Sequence, residues 1–159
     1  MEFIRADKPH GCIFCEFPAQ EGLEADRRNL ILGRSARSFA IFNRFPYSNG
    51  HLMVIPRRHT CEFESLSAEE SADLHGLVQT SVGILKQTLH PDGLNVGMNL
   101  GLAAGAGIAD HLHYHLVPRW NGDTNFMPVV SQTKVIVEHL EKTYDSLRPI
   151  FDRSLSSLV

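Results

Sequence analysis

An α+β fold is predicted for this chain of 159 residues: an antiparallel sheet of about five strands, one long helix and one C-terminal helix. Three observations predict it. Short apolar runs bounded by turn residues lie on both sides of one long segment of helical periodicity. The strand-like segments cluster instead of alternating regularly with helices, which disfavours a parallel sheet built from βαβ units. The length suits one domain with a core of its own. A single domain over 1–159 is therefore expected, with an irregular N-terminal segment to about residue 28.

Each element has a local reason. Asn29-Leu-Ile-Leu-Gly-Arg34 and Ser38-Phe-Ala-Ile-Phe-Asn43 are apolar runs joined by a short Ser/Arg turn, which predicts a hairpin. The segment from Asn43 to Gly50 carries Pro46, Asn49 and Gly50 and predicts a loop. His51-Leu-Met-Val-Ile-Pro56 is a short apolar strand closed by proline. Ser67-Ala-Glu-Glu70 has the form of a capping box. Leu74, Leu77, Val78, Val82, Ile84, Leu85 and Leu89 then recur at helical spacing, so a helix is expected from about Ala68 to Leu89. Pro91-Asp-Gly93 stops it, and Leu94 to Asn99 returns as a strand. A Gly/Ala loop from Gly101 to Gly107 leads to a strictly alternating strand, His111 to Pro118. Val135 to Ile150 predicts a second amphipathic helix, with Val135, Leu140, Tyr144 and Leu147 on one side.

Composition narrows the function classes. The apolar fraction of 43% and charged fraction of 21% are ordinary for a globular protein. A net charge of −3 shows no global basic bias, so composition gives no reason to expect nucleic acid as a partner. No segment approaches the ~20 apolar residues of a membrane span. The first twelve residues lack the apolar core of a secretory signal. Three cysteines, with Cys61 left over once Cys12 and Cys15 are paired, make no disulfide framework, and a reducing cytoplasm is expected. The unusual count is nine histidines, three of them within five residues. His10, His75, His90 and His139 are expected at the surface.

His111-Leu-His-Tyr-His-Leu-Val117 concentrates the chemistry. On a strand, His111, His113 and His115 share one face at steps of about 6.6 Å, with Leu112, Tyr114 and Leu116 on the other. An apolar core supplies few partners for three imidazoles. Taken alone, such a row fits a metal site or a solvated face as well as a catalytic centre. A neutral imidazole, with a reference pKa of about 6.5, is largely nucleophilic at pH 7.

The segment matches His-φ-His-φ-His-φ-φ, with φ apolar, and resembles the motif of the histidine-triad (HIT) superfamily. Cys12-Ile-Phe-Cys15, Asn49 to Pro56 and Asn95 to Gly101 also resemble family segments. The run from Pro118 to Pro128 resembles the branch containing diadenosine tetraphosphate phosphorylases and related hydrolases. The resemblance covers roughly Pro9 to Ile150. It implies that His113 is the nucleophile toward the α-phosphorus of a nucleotide, forming a covalent nucleotidyl-histidine. It places His115 and His51 beside the phosphates. Asn43 is implied to bond the ribose hydroxyls, which suits a carboxamide that donates and accepts. Ile41 or Phe42 would face the base, or both lie in the core. Asn99 and the backbone of Gly107 would contact phosphate. Related sequences often carry a hydroxyl just before the triad; Gly105 to Asp110 has none, which leaves phosphate and water open as acceptors. Trp120, Asn121 and Asp123 either line the leaving-group side or form a surface turn.

Cys12-Ile-Phe-Cys15 has the spacing of half a zinc site, with a redox pair and a metal-free pair as alternatives. The resemblance implies that His59 and His111 complete a structural Zn2+ site. It also implies a homodimer and adenine nucleotides as substrates. Three functions are open: dinucleoside polyphosphate phosphorylase or hydrolase, nucleoside phosphoramidate hydrolase, and a nucleotide-binding module with vestigial turnover.

Overall fold

The computed structural model describes residues 11–123 and 140–156. The predicted hairpin is present: β1 (Ile31–Arg34) pairs antiparallel with β2 (Ser38–Phe42), and β2 pairs with β3 (Leu52–Pro56). The long helix α3 spans Ala68–Leu89, as its periodicity predicts. Its capping box is made in full. The Glu70 N–H donates to the Ser67 hydroxyl (3.2 Å) and the Ser67 N–H to the Glu70 carboxylate (2.9 Å). Such a cap contributes about 1 kcal/mol. After α3 come β4 (Gly93–Met98) and β5 (Tyr114–Arg119), giving an antiparallel sheet of order β1-β2-β3-β5-β4.

Register divides the sheet into two faces. Phe42, Leu52 and Leu116 stand side by side on one; Ile41, Met53 and His115 stand side by side on the other. The first face is the core. It is covered by α3 and by the C-terminal helix α4, described over Leu140–Ser156. Leu74, Leu77 and Leu85 of α3 and Leu147 and Phe151 of α4 are at most 2% exposed. Each such side chain contributes roughly 1.5–3 kcal/mol by leaving water. Glycine at position 33 lets α4 approach β1, since a Cβ there would meet Leu155 at 2.5 Å and Phe151 at 3.1 Å. No described helix is long and apolar enough to cross a membrane.

Three expectations need correction. From residue 11 onward the N-terminal segment is not irregular: α1 (Ile13–Ala19) and α2 (Leu23–Asn29) lie there. Seven residues hold too little periodicity to be read, and α1 also contains Pro18. Their stability comes from tertiary partners. Asp26 of α2, 6% exposed, is held between Arg34 of β1 (2.6 Å) and Arg148 of α4 (3.0 Å). The second correction concerns α4, which continues through Pro149 to Ser156 rather than ending at Ile150, because Phe151 and Leu155 are needed against β1. Its expected start, from Val135, lies outside the described residues. Finally, β5 begins at Tyr114, not His111. Its pairing with β3 ends at Tyr114↔Val54, and the Leu112 N–H donates instead to the Thr60 carbonyl (2.8 Å), beyond β3. Only His115 of the triad therefore stands in the strand.

Candidate functional site

The face of the sheet opposite the core gathers the histidines. His115 is fixed by pairing, lying opposite Met53 of β3 and Gly97 of β4. A Cβ added at Gly97 would meet nothing within 4 Å, so the strand beside His115 leaves space open. The His113 ring stands 4.8 Å from that of His115, centroid to centroid and nearly perpendicular. His51 precedes β3, and its ring centroid is 5.1 Å from that of His115. The sequence thus brings His113, His115 and His51 together as expected from the motif, although His51 is 62 positions before His113.

The hydrogen bonds assign a proton to each ring, because a neutral imidazole carries one N–H. The Tyr47 N–H donates to His51 Nδ1 (3.1 Å), and the Asn43 amide nitrogen lies 3.4 Å from the same atom. His51 Nδ1 is therefore an acceptor, and its proton sits on Nε2. That Nε2–H faces His115 Nδ1 at 2.9 Å and donates to it. The remaining proton of His115 is on Nε2. His113 Nδ1 donates to the His111 carbonyl (2.9 Å), which leaves the lone pair on His113 Nε2. The row thus offers one nucleophilic nitrogen and, on the next ring, one N–H donor.

Burial favours the neutral form of His113 and His115. It pushes His113 below the ordinary imidazole value and His115 down to about 4, with the neighbouring His113 adding to the second shift. An anionic group placed against His115 would favour its protonated form and oppose that shift.

The other expected nucleotide contacts are distributed as follows. Asn43 is half-buried at the end of β2, and its N–H donates to the His51 carbonyl (3.0 Å). Its side-chain oxygen accepts from the Phe45 N–H (2.9 Å), an Asx turn that orients the amide. Ile41 shares the histidine face and is 3% exposed, in the same buried apolar cluster as Phe42, whose ring lies 6.5 Å from that of Tyr144. Asn99 follows β4, with its amide nitrogen 3.7 Å from the Cβ position of Gly105. The adjoining loop closes through Gly101 and Gly105, which adopt φ of 81° and 92°; Gly107 is exposed beyond them. Trp120, directly after β5, lies roughly 16 Å along the strand from His115, and Asn121 and Asp123 follow in the turn. Asp123 accepts from Arg119 (2.7 and 2.8 Å) and from the Trp120 N–H (3.2 Å), which makes these residues a surface turn.

A second cluster adjoins the first. Ligand atoms of Cys12, Cys15, His59 and His111 lie within 4.8 Å of one another. His111 Nε2 donates to the Pro56 carbonyl (2.8 Å), so His111 Nδ1 turns a lone pair toward Cys12 Sγ (3.3 Å) and Cys15 Sγ (3.6 Å). His59 Nδ1 is 3.3 Å from His111 Nδ1 and 3.4 Å from Cys15 Sγ. Tetrahedral zinc bonds of ~2.05 Å to nitrogen and ~2.3 Å to sulfur imply separations of about 3.3 Å (N to N) and 3.6 Å (S to N). The donor set and its spacing fit that ion. Without a cation, burial followed by the adjoining Cys12 pushes the Cys15 thiol up to about 11. A nearby dication reverses such a shift. The cluster is fixed from outside: Arg58 forms a bidentate pair with Glu70 of α3 (2.7 and 3.0 Å), which anchors the segment carrying His59. That pair holds Glu70 down to about 2.

Two aromatic residues of the site escaped sequence reasoning. Phe14, fully buried, lies 5.6 Å from the His111 ring and 5.2 Å from the His113 ring. It joins the Cys/His cluster to the histidine row. Tyr47 lies against the other end, 4.8 Å from His51 and 6.1 Å from His115. Both contacts are tertiary. Phe14 reads as an apolar residue between cysteines, and Tyr47 as one more loop residue.

The HIT domain family matches residues 25–122. An AP-4-A phosphorylase of Mycobacterium tuberculosis is 42% identical over 130 residues, covering 79% of this chain and 67% of that protein. An adenosine 5'-monophosphoramidase of Schizosaccharomyces pombe is 33% identical over 110 residues, covering 69% of this chain and 75% of that protein. A zinc-bound histidine triad family protein of Mycobacterium smegmatis superposes with a TM-score of 0.69 at 25% identity, over 92% of this chain and 97% of that one. With the family match spanning more than half of the sequence, the chain belongs to the HIT domain family.

Proposed function

We propose that this chain is a nucleotidyl transferase or hydrolase that cleaves a dinucleoside polyphosphate through His113. The carrying observation is the proton assignment of the row: His113 Nε2 holds a lone pair while His115, the adjacent ring, holds an Nε2–H. In the reaction, His113 Nε2 attacks the α-phosphorus and the bond to the leaving oxygen breaks. Attacking and leaving atoms lie roughly in line, so little is required beyond positioning and charge stabilisation. The His115 Nε2–H donates to phosphate oxygen as charge develops. Water or inorganic phosphate then takes the nucleotide from His113, splitting one displacement into two. Asn43 and Ile41 would border the nucleoside, and Asn99 with the backbone around Gly107 the phosphates. Adenine dinucleotides are favoured by the name of the mycobacterial relative, at 42% identity.

Cys12, Cys15, His59 and His111 would hold a structural zinc ion. A closed four-coordinate site of this kind contributes folding energy rather than chemistry. The exposed side chains of Val96 on the edge strand β4 and of Leu100 and Leu102 beyond it support a homodimer.

Phosphoramidate hydrolysis is the second reading, favoured by the Schizosaccharomyces pombe relative. It uses the same nucleophile on a smaller leaving group. Product analysis with diadenosine tetraphosphate, with and without inorganic phosphate, separates the possibilities. ADP plus ATP formed only with phosphate marks a phosphorylase; AMP plus ATP regardless of phosphate marks a hydrolase. No cleavage of the dinucleotide, with turnover of adenosine phosphoramidate, establishes the second reading. His113→Ala should abolish turnover and retain nucleotide binding; wild-type turnover in that variant would refute the mechanism.

A further inference from the structure

We propose that Tyr47 is a specificity-determining side chain that stacks an aromatic leaving group, the second base of a dinucleotide in the reaction proposed above. The inference rests on that reading and adds a subsite to it. Tyr47 is 71% exposed, an unusual state for a large ring lying directly against buried polar groups. One side of the ring rests on the histidines, tilted 34° to His51 and 35° to His115. Most of the residue's remaining surface is exposed. His51 beneath it is fully buried, so the tyrosine forms the outer layer at this end of the row.

Position relative to the reacting atoms gives the ring its meaning. Tyr47 flanks His115, the donor ring, whereas Phe14 flanks His113, the nucleophile. The histidine row thus has a closed aromatic end and an open aromatic end, and the open one adjoins the donor. From His113 the centroids run 4.8 Å to His115 and 6.1 Å onward to Tyr47. A leaving group of one or two heavy atoms ends short of that ring. A nucleoside polyphosphate reaches it, and a base has a π-face to stack whatever its identity. The backbone that carries the ring is also held in place. The Tyr47 N–H is bound to His51 Nδ1, and the Ser48 hydroxyl donates to the Pro118 carbonyl at 2.5 Å. A shelf held this way loses little freedom when a base lands on it.

The test compares leaving groups on one nucleotide. kcat/KM is measured for diadenosine tetraphosphate, for adenosine phosphoramidate with ammonia as leaving group, and for the phosphoramidate of an indole-bearing amine. For Tyr47→Ala, the ratio of aromatic to ammonia leaving group should fall by about tenfold, which is about 1.4 kcal/mol. Tyr47→Phe should keep the wild-type ratio and Tyr47→Trp should keep or raise it. A Tyr47→Ala ratio equal to wild type overturns the proposal, whether or not overall turnover falls, since a merely structural role slows all substrates alike. Turnover of the phosphoramidates alone refutes the dinucleotide reading and still decides this one through the indole-to-ammonia ratio. If no substrate turns over, both phosphoramidate and dinucleotide chemistry fail. The stacking is then read from calorimetric Kd values for diadenosine tetraphosphate against AMP, whose ratio Tyr47→Ala must shrink by a similar factor.

Discussion

Replacing Gly50 by alanine should damage stability and the site together. Gly50 sits immediately before His51 with φ of +74°, a conformation that costs an L-residue about 1–2 kcal/mol. The added Cβ would lie 2.3 Å from Leu89 Cδ1 and 3.4 Å from Pro118 Cγ. Pro118 at 3.4 Å is in ordinary contact, whereas Leu89 must rotate its tip at the end of α3 to clear the 2.3 Å approach, so overpacking of about 1 kcal/mol is added. Alanine also restricts the unfolded chain, which returns about 0.4–1 kcal/mol. The net loss is about 1–2.5 kcal/mol, or a fall in Tm of roughly 3–8 °C for a domain of this size. Urea unfolding of Gly50→Ala against wild type measures it. Gly83→Ala is the control: it lies inside α3 with nothing within 4 Å of its Cβ, and should gain about 0.5–1 kcal/mol. A Gly50→Ala loss below about 0.5 kcal/mol would refute the packing argument. Strain released by shifting His51 also moves its Nε2 from His115 Nδ1, so kcat should fall with stability.

Two further outcomes follow from the site. Protein purified without added metal should carry one equivalent of zinc, and chelation or Cys15→Ser should remove it and lower Tm. A metal content below about a tenth of an equivalent, with melting unaffected by chelator, would dismiss the ion. His115 provides a pH dependence. Its ordinary value of 6.5 is lowered to about 4 in the folded chain, so between those values the unfolded state binds the proton and the folded state resists it. Stability from this group is complete above pH 6.5 and is lost as pH falls toward 4. The wild type should therefore lose stability on acidification more steeply than His115→Asn, by up to about 1.4 kcal/mol per pH unit. Equal slopes for the two proteins between pH 6.5 and 4 would refute the burial of a neutral His115.

The sequence by itself determined the elements whose signal is local. The bounds of α3 follow from Ser67, Glu70 and the apolar repeat, and the strands from apolar runs ending at glycine, proline and asparagine. Cys12 and Cys15 were legible from their spacing, while His59, His111 and the three row histidines were legible through the resemblance to the HIT motif and its neighbouring segments. What only the tertiary structure decided is what depends on contacts between distant positions. α1 and α2 are too short to declare themselves and exist through partners such as Arg148, 122 positions from Asp26. The triad leaves the strand at His113 because Leu112 finds the Thr60 carbonyl. The protonation pattern of the row is set by the Tyr47 N–H and the His111 carbonyl, backbone groups that no side-chain pattern records. Phe14 and Tyr47 take their places for the same reason: periodicity reports which face a residue shares, and folding alone reports what stands opposite it.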